Sequence, residues 1–253
     1  MATYSIDDLS RREILRMSAV LGIASAASTR FAIAQTAGQR TPEQILGPFY
    51  PLKTLGQNAD LTKVPGRPGR AAGLVLNVVG RVLNLKGEPV RNAKVEIWQA
   101  NTHGRYTHPS DHNTAPLDPN FEGSALLTTD NDGRYRFKTI KPAAYPAGPN
   151  RMRPAHIHFQ VSGRQDRLVT QMYFEGDPYL EPDRFFQTAL EQKDLLVAKL
   201  LQPTSEMEPE SKLVVFNIVL NAASRGAFSL YVRCWLLFGH RHCCQCPLCA
   251  PKD

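Results

Sequence analysis

Short runs of apolar and β-branched residues, separated by turn-forming residues, fill the middle of the chain. Residues 74–83 and 93–100 form two such runs on either side of Lys86-Gly87, which predicts a hairpin-like pair of strands. Residues 168–174 and 212–220 are also predicted strands. The run at 212–220 is apolar on both faces, and this pattern favours a central position in a sheet.

The remaining pattern predicts a β-sandwich with long loops and one late helix. Residues 128–137 contain the turn sequence Asn131-Asp132-Gly133, after which apolar and polar residues alternate. Residues 183–201 have apolar positions at helical spacing. Many short strands and a single helix are typical of a mainly-β sandwich. The loops 101–124 and 141–153 are rich in Pro, Gly and Asn, and long loops of this kind often carry function.

The sequence Arg153-Pro154-Ala155-His156-Ile157-His158-Phe159 contains two histidines in alternate positions. On a strand their side chains share one face, while Ile157 and Phe159 point to the other. Two neighbouring imidazoles can bind a metal ion if further ligands come from elsewhere in the fold. The alternative is a pair of solvated or hydrogen-bonded histidines without a metal.

Two tyrosines in the long loops are candidates for the further ligands. Tyr106 follows the strand ending at Ala100, and Tyr145 lies shortly before the histidine pair. A phenol must lose a proton with a pKa of about 10 to bind a metal, which a hard ion such as Fe(III) can achieve. Two Tyr and two His would therefore bind ferric iron in preference to zinc. The alternative for each tyrosine is simple packing at the rim of the sandwich.

Composition and charge exclude several classes of protein. With 42% hydrophobic and 21% charged residues, the chain has the balance of an ordinary globular protein. Its formal net charge is +7, of which residues 1–34 carry +1 and residues 224–253 carry +3. The long middle segment therefore holds only +3 and contains no run of Lys and Arg. Nucleic acid is accordingly not an expected partner.

Residues 1–34 have the pattern of a twin-arginine export signal. Ser10-Arg11-Arg12 is followed by a short Ala-rich apolar stretch and then by Ala32-Ile33-Ala34, an A-x-A cleavage site. The apolar stretch is too short for a permanent membrane span. We expect export to the periplasm, followed by an extended arm over residues 35–70, which are rich in Gly and Pro.

Several separated motifs resemble those of the intradiol ring-cleavage dioxygenases, and the likeness is nearest to the protocatechuate-cleaving members. It extends over about residues 45–221 in unbroken order. The stretches that carry it are Val95-Glu96-Ile97-Trp98-Gln99-Ala100-Asn101, Gly104-Arg105-Tyr106, Pro116-Leu117-Asp118-Pro119-Asn120-Phe121, Thr139-Ile140-Lys141-Pro142, residues 153–159, and Gln171-Met172-Tyr173-Phe174-Glu175-Gly176-Asp177. The resemblance implies a catalytic domain over 71–223.

The resemblance implies one non-haem Fe(III) per chain, bound by Tyr106, Tyr145, His156 and His158. Tyr145 corresponds to the tyrosinate that leaves the iron when substrate binds. The implied reaction inserts both atoms of O2 into a catechol-type ring, such as protocatechuate. Cleavage falls between the two hydroxyl-bearing carbons and yields a cis,cis-muconate.

The resemblance also implies that Arg153 and Gln171 flank the substrate and stabilise developing charge, and that Trp98 lies near the ligands. Two features depart from the protocatechuate-cleaving pattern. Ala147 replaces a tryptophan two residues after the second tyrosine, which implies a wider or differently shaped pocket. Those enzymes also use a second, related chain, so the oligomer is expected to be either a homo-oligomer or a pair with such a chain.

Two other functions compete with this interpretation. The sequence Gly80-Arg81-Val82, followed by Gly87-Glu88-Pro89-Val90, also occurs in non-catalytic prealbumin-like binding modules. A zinc hydrolase is a third hypothesis, which is disfavoured because the histidine pair lacks a nearby Glu or Asp. Metal analysis distinguishes the three, since they predict ferric iron, no metal and zinc respectively.

The end of the chain, residues 224–253, lies beyond the resemblance. It holds every cysteine of the protein: Cys234, Cys243, Cys244, Cys246 and Cys249. Four of them lie close to His240 and His242, which would allow a zinc site. Structural zinc sites usually need two ligand pairs separated by a folding loop, and here the ligands are crowded together. We expect an unstructured tail that is dispensable for activity.

Overall fold

Two β-sheets form the body of the protein in the computed structural model, which describes residues 38–221. The strands in this range are β1 (Val75–Asn84), β2 (Lys94–Gln99), β3 (Ser124–Thr128), β4 (Arg134–Ile140), β5 (Tyr145–Pro146), β6 (Met152–Arg153), β7 (His156–Ser162), β8 (Arg167–Phe174), β9 (Val197–Ala198), β10 (Lys212–Val215) and β11 (Ile218–Leu220). A short α-helix, α1 (Arg184–Gln187), and a 3-10 helix (Leu190–Leu196) lie between β8 and β9. The prediction of a mainly-β fold with few helices is confirmed.

Strand β1 is the centre of the first sheet. It pairs antiparallel with β4 on one side and parallel with β10 and β11 on the other. The second sheet has the order β3-β2-β7-β8-β9, and only its last pair, β8 with β9, is parallel. Strands β5 and β6 form a separate two-stranded ribbon. The histidine-bearing strand β7 therefore lies in the middle of the second sheet.

A hydrophobic core lies between the two sheets. Along β1, buried and half-buried residues alternate, as expected of a strand with one face on a core. The ring of Phe159 on β7 lies 6.1 Å from that of Phe137 on β4 and 5.1 Å from that of Phe216, measured between centroids. Aromatic side chains of both sheets thus interdigitate, and the architecture is a β-sandwich.

The hairpin predicted for residues 74–83 and 93–100 is wrong. Both strands exist, but β1 belongs to the first sheet and β2 to the second. The chain turns after Asn84, whose backbone N–H donates to the Glu88 carbonyl over 2.9 Å. In the described part of the chain, the only β-bridge between β1 and the segment that leads to β2 is an isolated one, between Leu83 and Pro89. The chain then crosses the sandwich, because each strand buries its apolar face against the opposite sheet.

The predicted central strand at 212–220 is two short strands at the edge of the first sheet. They are separated at Phe216, whose carbonyl accepts a 2.5 Å hydrogen bond from the hydroxyl of Tyr135. The Phe216 carbonyl also approaches Gly80 so closely that a Cβ there would lie 1.8 Å from it. The outer edge is covered by Thr41, whose N–H donates to the Val219 carbonyl over 3.1 Å. Although they are outer strands, β10 and β11 are largely buried, which fits their apolar sequence.

The predicted helix over 183–201 is also wrong in its length. Its start is correct, because the Asp183 side chain accepts hydrogen bonds from the backbone N–H groups of Phe185 and Phe186. The α-helix ends after one turn, and Leu190 then adopts a positive φ of 52°. A left-handed residue breaks the α-helical hydrogen-bonding pattern, so the segment continues as the 3-10 helix.

Three of the predicted segments lie wholly or partly outside the described residues. The export signal at 1–34 and the tail at 224–253 are wholly outside them. The predicted arm at 35–70 is described from residue 38, and its one ladder contact within that range is an isolated bridge between Asp60 and Lys138. Within residues 38–221 no helix has the length and apolar character needed to cross a bilayer.

Candidate functional site

Strand β7 brings the two histidines together on one face. Ile157 and Phe159, on the opposite face, lie in the hydrophobic core. His156 and His158 are only 1% and 2% exposed, and their Nε2 atoms are 3.1 Å apart. The Nδ1–H of His156 donates to the Pro154 carbonyl over 2.7 Å, because a carbonyl can only accept. The Nε2 of the neutral His156 ring therefore carries a lone pair, which faces the other side chains of the site.

Two loops bring Tyr106 and Tyr145 over this face. The side chain of Asn101 organises the first loop, since its Oδ1 accepts from the backbone N–H groups of His103 at 2.9 Å and Arg105 at 3.0 Å. Tyr145 opens strand β5, opposite Arg153 of β6. Both tyrosines are buried.

The two tyrosines and two histidines form one compact cluster. The Tyr106 hydroxyl lies 3.4 Å from the Nε2 of His156. The rings of Tyr106 and Tyr145 are 5.5 Å apart and nearly perpendicular, and the rings of Tyr145 and His156 are 5.7 Å apart. Two phenol oxygens and two imidazole nitrogens thus converge on one volume.

Burial sets the protonation states of the four side chains. Burial, aided by the charge of Arg153, lowers the pKa of His156 to about 3, against an opposing effect of its bond to Pro154. Burial, then His156 and Arg153, holds the pKa of His158 well below its ordinary value. Burial raises the pKa of Tyr106 strongly and that of Tyr145 to a lesser degree. Without a metal, the site therefore holds two neutral imidazoles and two protonated phenols.

Aromatic side chains enclose the cluster. The indole of Trp98 stacks on His158 with ring centroids 4.7 Å apart and planes within 8° of parallel. Phe49, from the segment before the first strand, lies 4.6 Å from the ring of Tyr106 and 6.3 Å from that of Tyr145. Gly47 approaches His158 so closely that a Cβ there would lie 3.1 Å from its Cε1. The site is thus shielded from water on several sides.

Arg153 and Gln171 are joined directly beside this cluster. The Nη2 of Arg153 donates to the Oε1 of Gln171 over 2.6 Å, and the Nε2 of Gln171 donates to the Ile45 carbonyl over 2.8 Å. The Nε of Arg153 donates to the Oδ2 of Asp183 over 2.7 Å. Burial lowers the pKa of Arg153, but nearby Tyr145, Tyr173 and Asp183 outweigh that effect and raise it. Arg153 therefore carries a permanent positive charge inside the site.

Comparison with known proteins identifies the family. Residues 45–222 match the Dioxygenase_C family, which is described as "Dioxygenase". The protocatechuate 3,4-dioxygenase beta chain of Burkholderia cepacia is 49% identical over 179 residues, which cover 68% of this chain and 76% of that one. The chain belongs to the intradiol ring-cleavage dioxygenases. The non-catalytic binding module is thereby set aside.

Other relatives match this chain over different shares of their own length. Catechol 1,2-dioxygenase from Acinetobacter baylyi is 36% identical over 167 residues, which cover 58% of this chain and 50% of the Acinetobacter enzyme. The crystal structure of hydroxyquinol 1,2-dioxygenase from Pseudomonas putida DLL-E4 has a TM-score of 0.59 and 25% identity. That alignment covers 84% of this chain and 77% of the hydroxyquinol enzyme. This chain thus spans about half the length of the Acinetobacter enzyme.

The tertiary structure brings together all six side chains that the sequence singled out, and neither tyrosine points away from the histidines. Their roles in binding and catalysis remain predictions. Among residues 38–221 no group of three or more His, Cys, Asp and Glu side chains could hold a metal ion. The only candidate centre in this range therefore needs the tyrosines as ligands.

Several residues that support the site could not be identified from the sequence. Gln44 and Tyr173 are buried beside Gln171, and the Tyr173 hydroxyl can donate to the Oε1 of Gln44 at 2.9 Å or of Gln171 at 2.8 Å. Asp183 is 4% exposed. The apolar spacing over 183–201 placed Asp183 at the start of a helix, and nothing in the sequence linked it to Arg153, thirty positions away.

Proposed function

We propose that this dioxygenase binds one non-haem Fe(III) through Tyr106, Tyr145, His156 and His158. The proposed reaction uses both atoms of O2 to cleave a catechol-type, protocatechuate-like ring between its hydroxyl-bearing carbons, yielding a cis,cis-muconate. The observation that carries the proposal is the convergence of two phenols and two neutral imidazoles in one buried volume.

The donor set fits a hard trivalent ion. The two imidazoles are already neutral, as metal ligands must be. The phenols are harder to ionise than free tyrosine, so only a strongly polarising cation would deprotonate them. Zinc sites use Cys, His and carboxylate ligands, and neither Cys nor carboxylate belongs to this cluster. Anionic phenolates would also stabilise the ferric state over the ferrous state.

The protein side chains supply the remaining chemistry. When bound, ferric iron would withdraw electron density from a catecholate ring and allow that ring to react with O2. Tyr145, as a phenolate, would accept a proton from an incoming catechol hydroxyl and so become a neutral phenol, the form that burial of its side chain favours. Arg153, held by Gln171 on one side, places a fixed positive charge where an anionic ring would lie.

The choice of ring and the cellular setting are part of the proposal. A relative that shares 49% identity is named for protocatechuate, which supports a carboxylated catechol. Ala147, packed against the aromatic cluster, leaves more room than a larger side chain would. Because that relative is named as a beta chain, we propose assembly either with a related chain or with further copies of this one. Export to the periplasm rests on the pattern at 1–34.

Metal content and ring cleavage together test the proposal. The purified protein is expected to contain about one iron per chain and to absorb visible light through tyrosinate-to-iron charge transfer. Protocatechuate, catechol, hydroxyquinol and a chlorocatechol are then compared as substrates by the ultraviolet absorption of the opened ring. A colourless protein that contains zinc or no metal, and that cleaves none of the four rings when iron is supplied, would refute the proposal.

A further inference from the structure

The carboxylate of Asp183 has two separate tasks, one for each oxygen. Its Oδ1 accepts from the backbone N–H groups of Phe185 and Phe186, both at 2.8 Å, and so begins helix α1. Its Oδ2 accepts from the Nε of Arg153 at 2.7 Å. One buried group thus joins the segment after β8 to the cation beside the cluster of tyrosines and histidines.

The guanidinium of Arg153 is held in place on three sides. Asp183 accepts from Nε, while Gln171 accepts from Nη2 at 2.6 Å. The ring of Phe185 covers one face of the guanidinium, 4.8 Å from its central carbon. The side chains of Arg153 and Asp183 are only 5% and 2% exposed, so water does not compete for these contacts.

We propose that Asp183 is the positioning residue for Arg153, orienting its guanidinium toward Gln171 and the substrate while it caps helix α1. A planar guanidinium has a definite direction for each N–H, so an acceptor on Nε determines where the Nη groups point. The side-chain hydrogen bonds of Asp183 go to Arg153 and to the start of helix α1, so its route to the substrate runs through the guanidinium. The proposal rests on the proposed role of Arg153 in ring cleavage.

Replacing Asp183 with asparagine separates the two tasks. An amide has a single acceptor oxygen, which can cap the helix as well as a carboxylate does. Its NH2 group then faces the Nε–H of Arg153, and two donors cannot bond to each other. We expect kcat to fall about 10- to 100-fold through misplacement of Arg153, with iron content unchanged. Glu181→Gln, the same change at an exposed acid two residues earlier, is the matched control and should leave kcat unaffected.

A double-variant comparison shows whether Asp183 acts through Arg153. In an Arg153→Met background, D183N should no longer lower kcat. The melting temperature of the metal-free protein provides a readout that is independent of activity. D183N should lower that temperature in the parent, but raise it in the Arg153→Met background, where Asp183 would otherwise be a buried charge without a partner.

Two results would overturn the proposal. One is a melting shift of the same sign in both backgrounds, which would show that Asp183 affects stability independently of Arg153. The other is a loss of kcat that persists when Arg153 is absent. Failure of the proposed function would appear differently, as a parent protein that lacks iron or cleaves no ring, and the melting comparison would still decide the role of Asp183.

Discussion

A Cβ atom added to Gly104 would lie 3.1 Å from the Cβ of Tyr145 and 2.7 Å from the carbonyl oxygen of Ala144. The two tyrosine-bearing loops therefore meet backbone to backbone at this glycine. Gly104 also has a φ of +78°, which residues with a side chain rarely adopt. The meeting of the two loops depends on the absence of a side chain at this one position.

Gly104→Ala should separate the tyrosine loops. The left-handed backbone alone costs about 1–2 kcal/mol for a residue with a Cβ, and the contact with Ala144 adds to that cost. Gly176→Ala is a matched control, since Gly176 has the same φ of +78° but nothing within 4 Å of its added Cβ. Urea unfolding measures both variants, and iron content should fall only in Gly104→Ala. Equal losses of stability and of iron in the two variants would show that the close contact of Gly104 with Ala144 is unimportant.

Tyr106→Phe removes one proposed iron ligand while keeping the ring. The visible charge-transfer absorption should weaken or shift, and the bound iron per chain should decrease. Tyr135→Phe is the control, because the Tyr135 hydroxyl bonds to the Phe216 carbonyl within the core. That variant should lose about 1 kcal/mol of stability and keep its absorption. An unchanged spectrum in Tyr106→Phe would exclude Tyr106 as a ligand.

Arg153→Ala removes the fixed positive charge beside the cluster. We expect kcat to fall about 100-fold or more, with iron content unchanged, because preorganised charge is a large part of transition-state stabilisation. Stability should fall as well, since Asp183 is then buried without its partner. Steady-state kinetics and metal analysis on the same preparation check both points. Loss of the iron together with activity would mean that Arg153 is structural.

The metal-free protein should become less stable as the solution is acidified below about pH 6.5. The unfolded chain takes up protons at His156 and His158 there, whereas the folded chain does not until pH about 3 for His156. Each such proton lowers the free energy of unfolding by about 1.4 kcal/mol for each unit by which the pH falls. The free energy of unfolding, measured in urea at several pH values, should therefore change less steeply with pH in His156→Gln than in the parent protein. A slope equal to that of the parent would contradict the low pKa.

The strands could largely be predicted from sequence, but their sheets could not. Runs of apolar and β-branched residues located β1, β2 and β8 to within a few residues. The partner of β1 is instead decided by which apolar faces meet across the sandwich, a long-range property. The same holds for residues 212–220, where two outer strands are so largely buried that their sequence resembles that of a central strand. In the segment after Asp183, the left-handed Leu190 ended a pattern that local spacing predicted to continue.

The sequence by itself determined that His156 and His158 share one face, because a strand has a period of two. It also provided two tyrosines in long loops, and motifs that resemble one enzyme family. Only the tertiary structure decided that Tyr106 and Tyr145 meet above the histidines, since that depends on loops touching at a glycine. It alone joined Arg153 to Asp183, because no local periodicity relates residues thirty positions apart whose contact is made by folding.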